Sequence, residues 1–254
     1  MAKENYLEIM DLKKSFGGLQ AISDLSCSIE KEKITSIIGP NGAGKTTLYN
    51  LITGFIKPDY GKVFYHGKDI TSMTPAQIAN LGVVRTFQNL RIFNKLTVKE
   101  NIIVGLKETH QEGLMNGIFG LKSKEKKELL TKKAKKLIEF VGISKLENEL
   151  AENISYGEQK FVILARTLAM DPDIILFDEP AAGVSKDSME KMITLFRQLQ
   201  EQGKTIVLVE HNMDVVMNVS DFIIVLNFGK KIASGSPKEV SQNKTVVDVY
   251  LGVS

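Results

Sequence analysis

The rhythm of apolar and polar positions divides the chain into three parts. In the first third, short apolar segments are separated by glycine-bearing turns, which predicts a sheet; the segments are YLEIMDL, LSCSIEK, ITSIIG and KVFYH. After ITSIIG, apolar residues recur at helical spacing at Leu48, Leu51 and Ile52. The local order is therefore strand, glycine-rich loop and helix.

The middle part, from about Leu96 to Met170, has a helical and strongly charged pattern. In LKSKEKKELLTKKAKKLIEFVG, one stripe is apolar, lysines occupy the other positions, and Gly142 predicts the helix end. The stripe consists of Leu130, Ala134, Leu137, Ile138 and Val141. A lysine run can contact acidic lipid or RNA. Here no aromatic residues are interleaved, and a solvated helix face accounts for the run.

After Met170, strands and helices alternate, and the strands are almost wholly apolar, as in DIILFDEP, TIVLVEHN and DFIIVLNFG. This alternation is typical of a parallel sheet covered by helices on both faces. The sequence therefore predicts an α/β core at both ends of the chain, interrupted by a helical arm.

Composition narrows the class of protein. With 254 residues, 43% of them hydrophobic, the chain can bury a substantial core as one large domain. A net charge of +3 is too small to indicate a dedicated nucleic-acid binder. The single cysteine, Cys27, excludes an intramolecular disulfide, and MAKENYLEIM does not resemble a signal peptide. No apolar run approaches bilayer length, so we expect a cytoplasmic protein whose membrane association depends on partners.

The segment GPNGAGKT fits the phosphate-binding pattern G-x-x-x-x-G-K-[ST], and it follows a predicted strand as that pattern requires. Its glycines let backbone N–H groups surround phosphates, Lys45 reaches the β- and γ-phosphates, and the Thr46 hydroxyl is placed to bind Mg²⁺. We expect nucleotide contacts from Gly39, Pro40, Asn41, Gly42, Ala43, Gly44, Lys45, Thr46 and Thr47.

A carboxylate pair follows the apolar strand of DIILFDEP. Asp178 lies where the strand meets the carboxyl edge of the sheet and is a candidate ligand for the hydrated metal. Glu179 is the candidate base that orients or deprotonates the attacking water. The alternative is that both residues only cap the turn before Pro180.

Three single residues carry weaker signals. Gln88 follows a strand-like run and is a candidate to reach the metal or its water, although a loop hydrogen bond is the simpler explanation. His211 follows TIVLVE at another strand end, where an ordinary surface histidine is the alternative. Phe16 is a candidate to stack on a base or, alternatively, a core aromatic.

The segment NISYGEQKFVILARTLAM supports two interpretations. Ser155 followed by Glu158 before an apolar run has the spacing of a capping box. Gly157 lies within the predicted first turn, where bare backbone N–H groups suit a phosphate. The two interpretations are compatible, because Glu158 can secure the helix start while Ser155 and the Gly157 N–H face a ligand.

Taken in order, these motifs resemble those of ATP-binding cassette (ABC) ATPases over essentially the whole chain. The resemblance implies a P-loop NTPase core with an antiparallel β subdomain and an inserted α-helical subdomain. It divides one domain, 1–254, into a β-rich and phosphate-loop part (1–90), a helical subdomain with the signature (91–170) and the rest of the core with the tail (171–254).

The same resemblance implies the residue roles. ATP is closed between two subunits with Mg²⁺, Phe16 stacks on adenine, and Gln88 senses the metal and the water. Glu179 polarises that water and His211 contacts the γ-phosphate. ISYGEQ resembles the family signature, in which Ser155, Gly157 and Glu158 contact the nucleotide held by the other subunit.

Departures from the family pattern locate a subgroup. Tyr156 replaces a usual glycine, and Glu158 replaces a usual glutamine. Ser185 replaces a frequent aspartate, a change that affects the contacts of its loop across the dimer and leaves the residues of hydrolysis in place. The sequence is similar to that of the longer ATPase subunit of branched-chain amino acid importers. The features that carry this resemblance are Tyr156, VRTFQNLRIFNKLTVKENIIVG, VEHNMDVVM and the ending VVDVYLG. Importers of amides or urea and the lipopolysaccharide-export ATPase share much of this pattern.

The expected partners follow from that subgroup. They are a second ATPase subunit, identical or different, permeases contacted near residues 88–99, and indirectly an extracytoplasmic binding protein, with no nucleic acid. The chain would then lie on the inner face of the membrane. A P-loop kinase would need neither the signature nor His211, and ABC proteins of ribosomes or DNA usually carry two cassettes or coiled-coil insertions.

Overall fold

The computed structural model describes residues 5–86, 91–110 and 124–251. Contacts divide the chain into two compact units. The first contains the described residues up to Arg85, Asp173–Ala181 and those from Glu190 onward. The second contains the described residues of Thr86–Pro172 and Ala182–Met189.

Strands and helices follow the order that the apolar pattern predicts. The strands are β1 (Asn5–Phe16), β2 (Leu19–Glu30), β3 (Ile34–Ile38), β4 (Tyr60–Tyr65), β5 (Lys68–Asp69), β6 (Val83–Arg85), β7 (Ile174–Asp178), β8 (Thr205–Val209), β9 (Phe222–Asn227) and β10 (Lys230–Gly235). The helices are α1 (Lys45–Ile52), α2 (Pro75–Asn80), α3 (Val98–Gly105), α4 (Lys107–His110), α5 (Lys124–Phe140), α6 (Tyr156–Leu168), α7 (Lys186–Glu201), α8 (Met213–Val219), α9 (Pro237–Ser241) and α10 (Lys244–Leu251).

A six-stranded sheet forms the centre of the first unit. Its order is β10-β9-β3-β8-β7-β6, and all neighbours are parallel except β10 with β9. Every residue of β3, β7 and β8 is buried, as expected for mostly apolar parallel strands when both faces are covered. The carboxyl ends of these strands meet at one edge of the sheet.

Helices cover both faces of this sheet. The neighbouring residues Ile37 and Ile38 of β3 point to opposite sides. Ile37 belongs to a core cluster with Leu48 and Tyr49 of α1, whereas Ile38 packs in another cluster with Val216 of α8. The predicted mostly parallel α/β core is therefore confirmed.

The first unit also contains a four-stranded antiparallel sheet in the order β2-β1-β4-β5. Leu7 and Ile9 of β1 are buried, because alternate residues of a strand point to one face. Leu7 pairs with Ile29 of β2 and with Tyr65 of β4. The antiparallel β subdomain implied by the family resemblance is thus present.

The second unit is helical, with α3 packed against both α5 and α6. The predicted apolar stripe of α5 is buried at Leu130, Ala134 and Ile138, while Leu137 is only partly buried. Gly142, at φ +67°, follows the helix end and donates its N–H to Glu139 O.

None of the helices in the described ranges combines the length and apolar character needed to cross a bilayer.

Candidate functional site

The glycine-rich loop lies between β3 and α1, at the carboxyl edge of the parallel sheet. A Cβ at Gly39 would lie 2.1 Å from Leu226 O, and one at Gly44 would lie 2.7 Å from Ala21 O. Both glycines have positive φ angles, of 152° and 100°, which side-chain-bearing residues rarely adopt. Packing within the chain therefore requires the glycines that the phosphate-binding pattern contains.

The start of α1 is suited to an anion. Its N-cap is Gly44, and no side chain of the described residues caps the helix. The first N–H groups of a helix have no partner within the helix, and they lie at the positive end of its dipole. A phosphate at this position would satisfy them.

Lys45 is a buried cation at the first position of α1. Its Nζ donates to Gly39 O at 2.7 Å and to Pro40 O at 2.9 Å, which folds the side chain over the loop. Burial lowers the pKa of Lys45, while the carboxylates of Glu179 and Asp178 oppose this shift. The ammonium thus lies close to the loop and within the field of the carboxylate pair.

A pocket of about 380 Å³ brings several predicted residues together. They come from the phosphate loop, the end of β1 and the ends of β7 and β8. The lining includes Phe16, Asn41, Gly42, Ala43, Gly44, Lys45, Thr46, Thr47, Glu179 and His211. Phe16 is 47% exposed, so it is not the core aromatic that the sequence left open as an alternative.

Asp178 ends β7 as predicted and is buried. Arg85, at the end of β6, donates from Nη2 to Asp178 Oδ2 at 2.6 Å and from Nη1 to Asn50 Oδ1 at 2.6 Å. A buried charge is stable only when paired and hydrogen-bonded. Arg85 therefore holds the Asp178 carboxylate in place, a role that the sequence did not reveal.

Glu179 and His211 lie side by side. His211 Nε2 is 3.0 Å from Glu179 Oε1, so two residues from the ends of different strands form one hydrogen-bonded pair. Glu179 has φ +51°, an uncommon conformation for a non-glycine residue, and such backbone strain is concentrated at functional sites. Its N–H donates to Val209 O at 2.8 Å, which fixes the strained residue to β8.

Glu210 is a second buried carboxylate that sequence reasoning missed. Oε1 accepts from Ala181 N–H at 2.7 Å, while Oε2 accepts from His211 N–H at 3.0 Å and Asn212 N–H at 3.3 Å. Glu210 therefore ties the loop after Glu179 to the loop that carries His211. The available signal was its position directly after the strand TIVLV, which matches the position of Glu179 directly after IILFD.

In the second unit, Ser155 is the N-cap of α6. Its Oγ accepts from Glu158 N–H at 3.3 Å, and Glu158 Oε2 accepts from Ser155 N–H at 2.8 Å. The predicted capping box is therefore confirmed. Among the described residues beyond its own helix backbone and chain neighbours, a Cβ at Gly157 would meet only Ser188 Oγ, at the ordinary distance of 3.6 Å.

Gln88 lies outside the described residues. Ser185, which stands where many family members have aspartate, accepts at Oγ from Ser188 N–H at 3.3 Å. A serine at this position therefore retains a capping contact at the start of α7.

The first unit thus contains a P-loop nucleotide-binding domain: a phosphate loop after a buried parallel strand, with a carboxylate pair at a second strand end. An ABC transporter family model matches residues 22–182, and a model for branched-chain amino acid ATP-binding cassette transporters matches residues 230–254. The chain belongs to the ABC transporter family, in the branch of LivG-like ATP-binding proteins.

Curated relatives and solved structures agree with this assignment. The chain is 39% identical over 246 residues to a probable branched-chain amino acid transport ATP-binding protein LivG of Archaeoglobus fulgidus, covering 97% of this chain and 95% of the relative. It is 37% identical over 249 residues to the high-affinity LivG of Escherichia coli K12, covering 97% of each.

Among solved structures, a nucleotide-free ATP-binding cassette from an ABC transporter has a TM-score of 0.85 at 36% identity, covering 97% of this chain and 98% of that one. A cassette in its ADP conformation has a TM-score of 0.85 at 37% identity, covering 98% and 99%. A dimeric cassette bound to ADP and Pi has a TM-score of 0.76 at 25% identity, covering 91% and 98%. The predicted P-loop NTPase fold and ABC ATPase class are confirmed.

Proposed function

We propose that this chain is the ATPase subunit that drives uptake of branched-chain amino acids through partner permeases. The observation that carries the proposal is similarity over 97% of the chain to proteins with that transport role. The pocket supports it, because Lys45 of the phosphate loop and the Glu179–His211 pair line the same cavity.

ATP binds with its phosphates in the loop 39–46 and its base beside Phe16. Lys45 exchanges its contacts with Gly39 O and Pro40 O for contacts with the β- and γ-phosphates. Phosphate oxygens also accept from N–H groups at the start of α1. Binding thus replaces contacts within the loop with contacts to the ligand.

The residues present also fit Mg²⁺, which prefers a few protein oxygens together with water and phosphate oxygens. Thr46 offers a hydroxyl, Asp178 offers a carboxylate that Arg85 holds in place, and Gln88 is the third proposed ligand. The bound ion would neutralise negative charge that develops on the phosphates.

Hydrolysis begins with water positioned by Glu179. The carboxylate accepts a proton as the water oxygen bonds to the γ-phosphorus, and the bond from that phosphorus to the oxygen of ADP breaks. His211, hydrogen-bonded to Glu179, orients that carboxylate and contacts the γ-phosphate. ADP and inorganic phosphate are the products.

The second half of each ATP site comes from another ATPase subunit. Ser155, Gly157 and Glu158 lie at the start of α6, which presents the positive end of its dipole. The dimeric relative bound to ADP and Pi is consistent with a paired assembly. The core segments 1–90 and 171–254 hold ATP in this proposal, and 91–170 presents the signature to the partner's ATP.

The permease contact lies within residues 88–99, of which 91–99 are described. The buried Asn101 amide donates to Phe93 O at 3.0 Å, Leu96 O at 3.2 Å and Thr97 O at 3.0 Å, which fixes this segment. Phe93 is 44% exposed and suits an apolar pocket on a membrane partner. Through this contact the chain lies on the cytoplasmic face of the membrane, and the permeases receive amino acids from an extracytoplasmic binding protein.

The deciding experiment is reconstitution of the chain with its candidate permeases, second ATPase and binding protein in lipid vesicles. Phosphate release and amino acid uptake are measured together. We expect leucine, isoleucine and valine to stimulate both. ATP hydrolysis that only amides, urea or lipopolysaccharide stimulates would overturn the substrate assignment, and phosphoryl transfer to an added acceptor would overturn the transport class.

A further inference from the structure

We infer that Phe228 is a second aromatic residue of the subsite that receives the base of the nucleotide. The inference rests on the proposed ATP-binding function. Phe228 lines the same pocket as the phosphate loop, together with Phe16 and Leu19. A nucleotide has anionic phosphates at one end and a flat, largely apolar base at the other. The pocket offers the phosphate loop to the first and the side chains of Phe16, Leu19 and Phe228 to the second.

Phe228 has an unusual conformation. It lies in the turn between β9 and β10 at φ +43°, followed by Gly229 at φ +74°. Two positive φ angles in a two-residue hairpin turn favour Asn-Gly, and a bulky side chain at the first of them is strained. Phe228 is also 81% exposed, so the chain's own packing does not explain the aromatic.

The turn is fastened directly to the phosphate loop. Gly229 N–H donates to Ala43 O at 3.0 Å, and Gly229 O accepts from Ser23 N–H at 2.9 Å. A Cβ at position 229 would lie 2.6 Å from Ala21 O, so the backbones are in close contact. Phe228 is thus held at a fixed position relative to the site of the phosphates.

Phe16 and Leu19 come from a second turn, between β1 and β2, where they are paired across the hairpin. The apolar end of the pocket is therefore built by two hairpin turns from different sheets. Strained backbone at a ligand pocket points to a role in binding. Aromatic stacking fits this role and tolerates different bases, because every base has a π face.

The test is equilibrium binding by the complete chain carrying Phe228→Asn. This substitution removes the ring and creates the Asn-Gly turn that the backbone favours, so the thermal unfolding midpoint should be unchanged or higher. Non-hydrolysable analogues of ATP and GTP are the nucleotide probes, and inorganic tripolyphosphate is the base-free probe. Tyr60→Asn is the matched control, because Tyr60 is also an exposed aromatic and is absent from the pocket lining.

We expect Phe228→Asn to weaken binding of both analogues by about 5- to 20-fold, which is the lower part of the range for loss of one stacking side chain. Binding of tripolyphosphate to Phe228→Asn should not change. Tyr60→Asn should bind all three probes like the wild type, and Phe228→Trp, which keeps an aromatic ring, should retain wild-type nucleotide affinity.

Equal losses for tripolyphosphate and nucleotide would overturn the inference by indicating a disturbed phosphate loop. Unchanged nucleotide affinity with impaired assembly of the transporter would assign Phe228 to a protein interface instead. Failure of the wild type to bind either analogue would refute the proposed function itself.

Discussion

Two glycine-bearing segments of this chain were predicted to contact phosphate, and they differ in what fixes their sequence. In the loop 39–46, Gly39 and Gly44 have positive φ angles, and a Cβ at either would collide with backbone oxygen. In the signature, Gly157 has an ordinary helical backbone, and a Cβ there would make one contact of normal length. Packing within the chain requires the first two glycines and does not require the third.

In the proposed assembly, this difference separates a phosphate site that the chain shapes by itself from one that a partner subunit completes. Packing within the chain itself restricts the backbone of the phosphate loop at Gly39 and Gly44. A larger residue at position 157 would fit the isolated chain, and in the proposed assembly the glycine there leaves room for a nucleotide held by the partner. The capping box at Ser155 secures the helix start without occupying the space above Gly157.

The largest expected effect concerns the Glu179 carboxylate. Glu179→Gln keeps the shape of the side chain and removes its basicity, so phosphate release should fall by about 10²–10⁴-fold. ATP binding should persist, and the dimer should remain closed on unhydrolysed ATP. Phosphate release and gel filtration with ATP measure the two effects, and wild-type turnover would exclude Glu179 as the catalytic base.

Alanine substitution of the two kinds of glycine tests the comparison directly. Gly44→Ala should lower the free energy of unfolding by about 1–3 kcal/mol, because the new Cβ meets Ala21 O and the backbone is left-handed. Gly157→Ala should raise it by up to about 1 kcal/mol, since alanine favours a helix. Denaturant unfolding of both variants measures these changes.

For Gly157→Ala, the functional effect should be opposite to the stability effect. The separate subunit should bind ATP normally, while ATP-dependent dimerisation should weaken. If dimerisation were unaffected, the space above Gly157 would have no role in the closed assembly. If binding by the separate subunit were lost, the signature would belong to the chain's own site.

A matched pair of caps tests Ser155. Ser155 and Ser236 form the same reciprocal capping box, with Glu158 at the start of α6 and with Glu239 at the start of α9. Changing either serine to alanine should cost about 1 kcal/mol of unfolding free energy. Only Ser155→Ala should also weaken the ATP-dependent dimer; equal behaviour of the two variants would leave Ser155 a cap alone.

The smallest effect is a pH dependence at Lys45. Burial lowers the pKa of Lys45 from its ordinary value of 10.5. Below the pKa of the folded state, the buried ammonium therefore lowers the free energy of unfolding. This loss of stability disappears as the pH rises from the lowered pKa towards 10.5. Bound phosphate stabilises the charged ammonium, so ATP affinity should fall by up to about tenfold as the pH rises through the same range. Arginine stays charged, and a similar slope in Lys45→Arg would assign the dependence to another group.

Local signals made much of this structure predictable. A mostly apolar strand followed by GPNGAGKT and an apolar strand that ends in Asp178 are each recognisable from a short segment of sequence. The capping box at Ser155 is equally local. Arg85 and Glu210 were missed because their importance depends on distant partners: Arg85 meets Asp178, 93 residues away, and Glu210 meets Ala181, 29 residues away.

The strained turn at Phe228 illustrates the same limit. NFG between two strands indicates a hairpin, but the sequence does not show that the turn lies against Ala43 of the phosphate loop. That contact depends on strand order, which places β9 beside β3.

The position of Glu210 has a consequence for interpreting kinetics. One carboxylate holds Ala181, His211 and Asn212 by their backbone N–H groups, so the loops that carry Glu179 and His211 share this support. Damage to that support would shift the proton acceptor and its neighbour in the same event. A defect at position 210 would therefore resemble a double substitution at 179 and 211, although neither of those residues had changed.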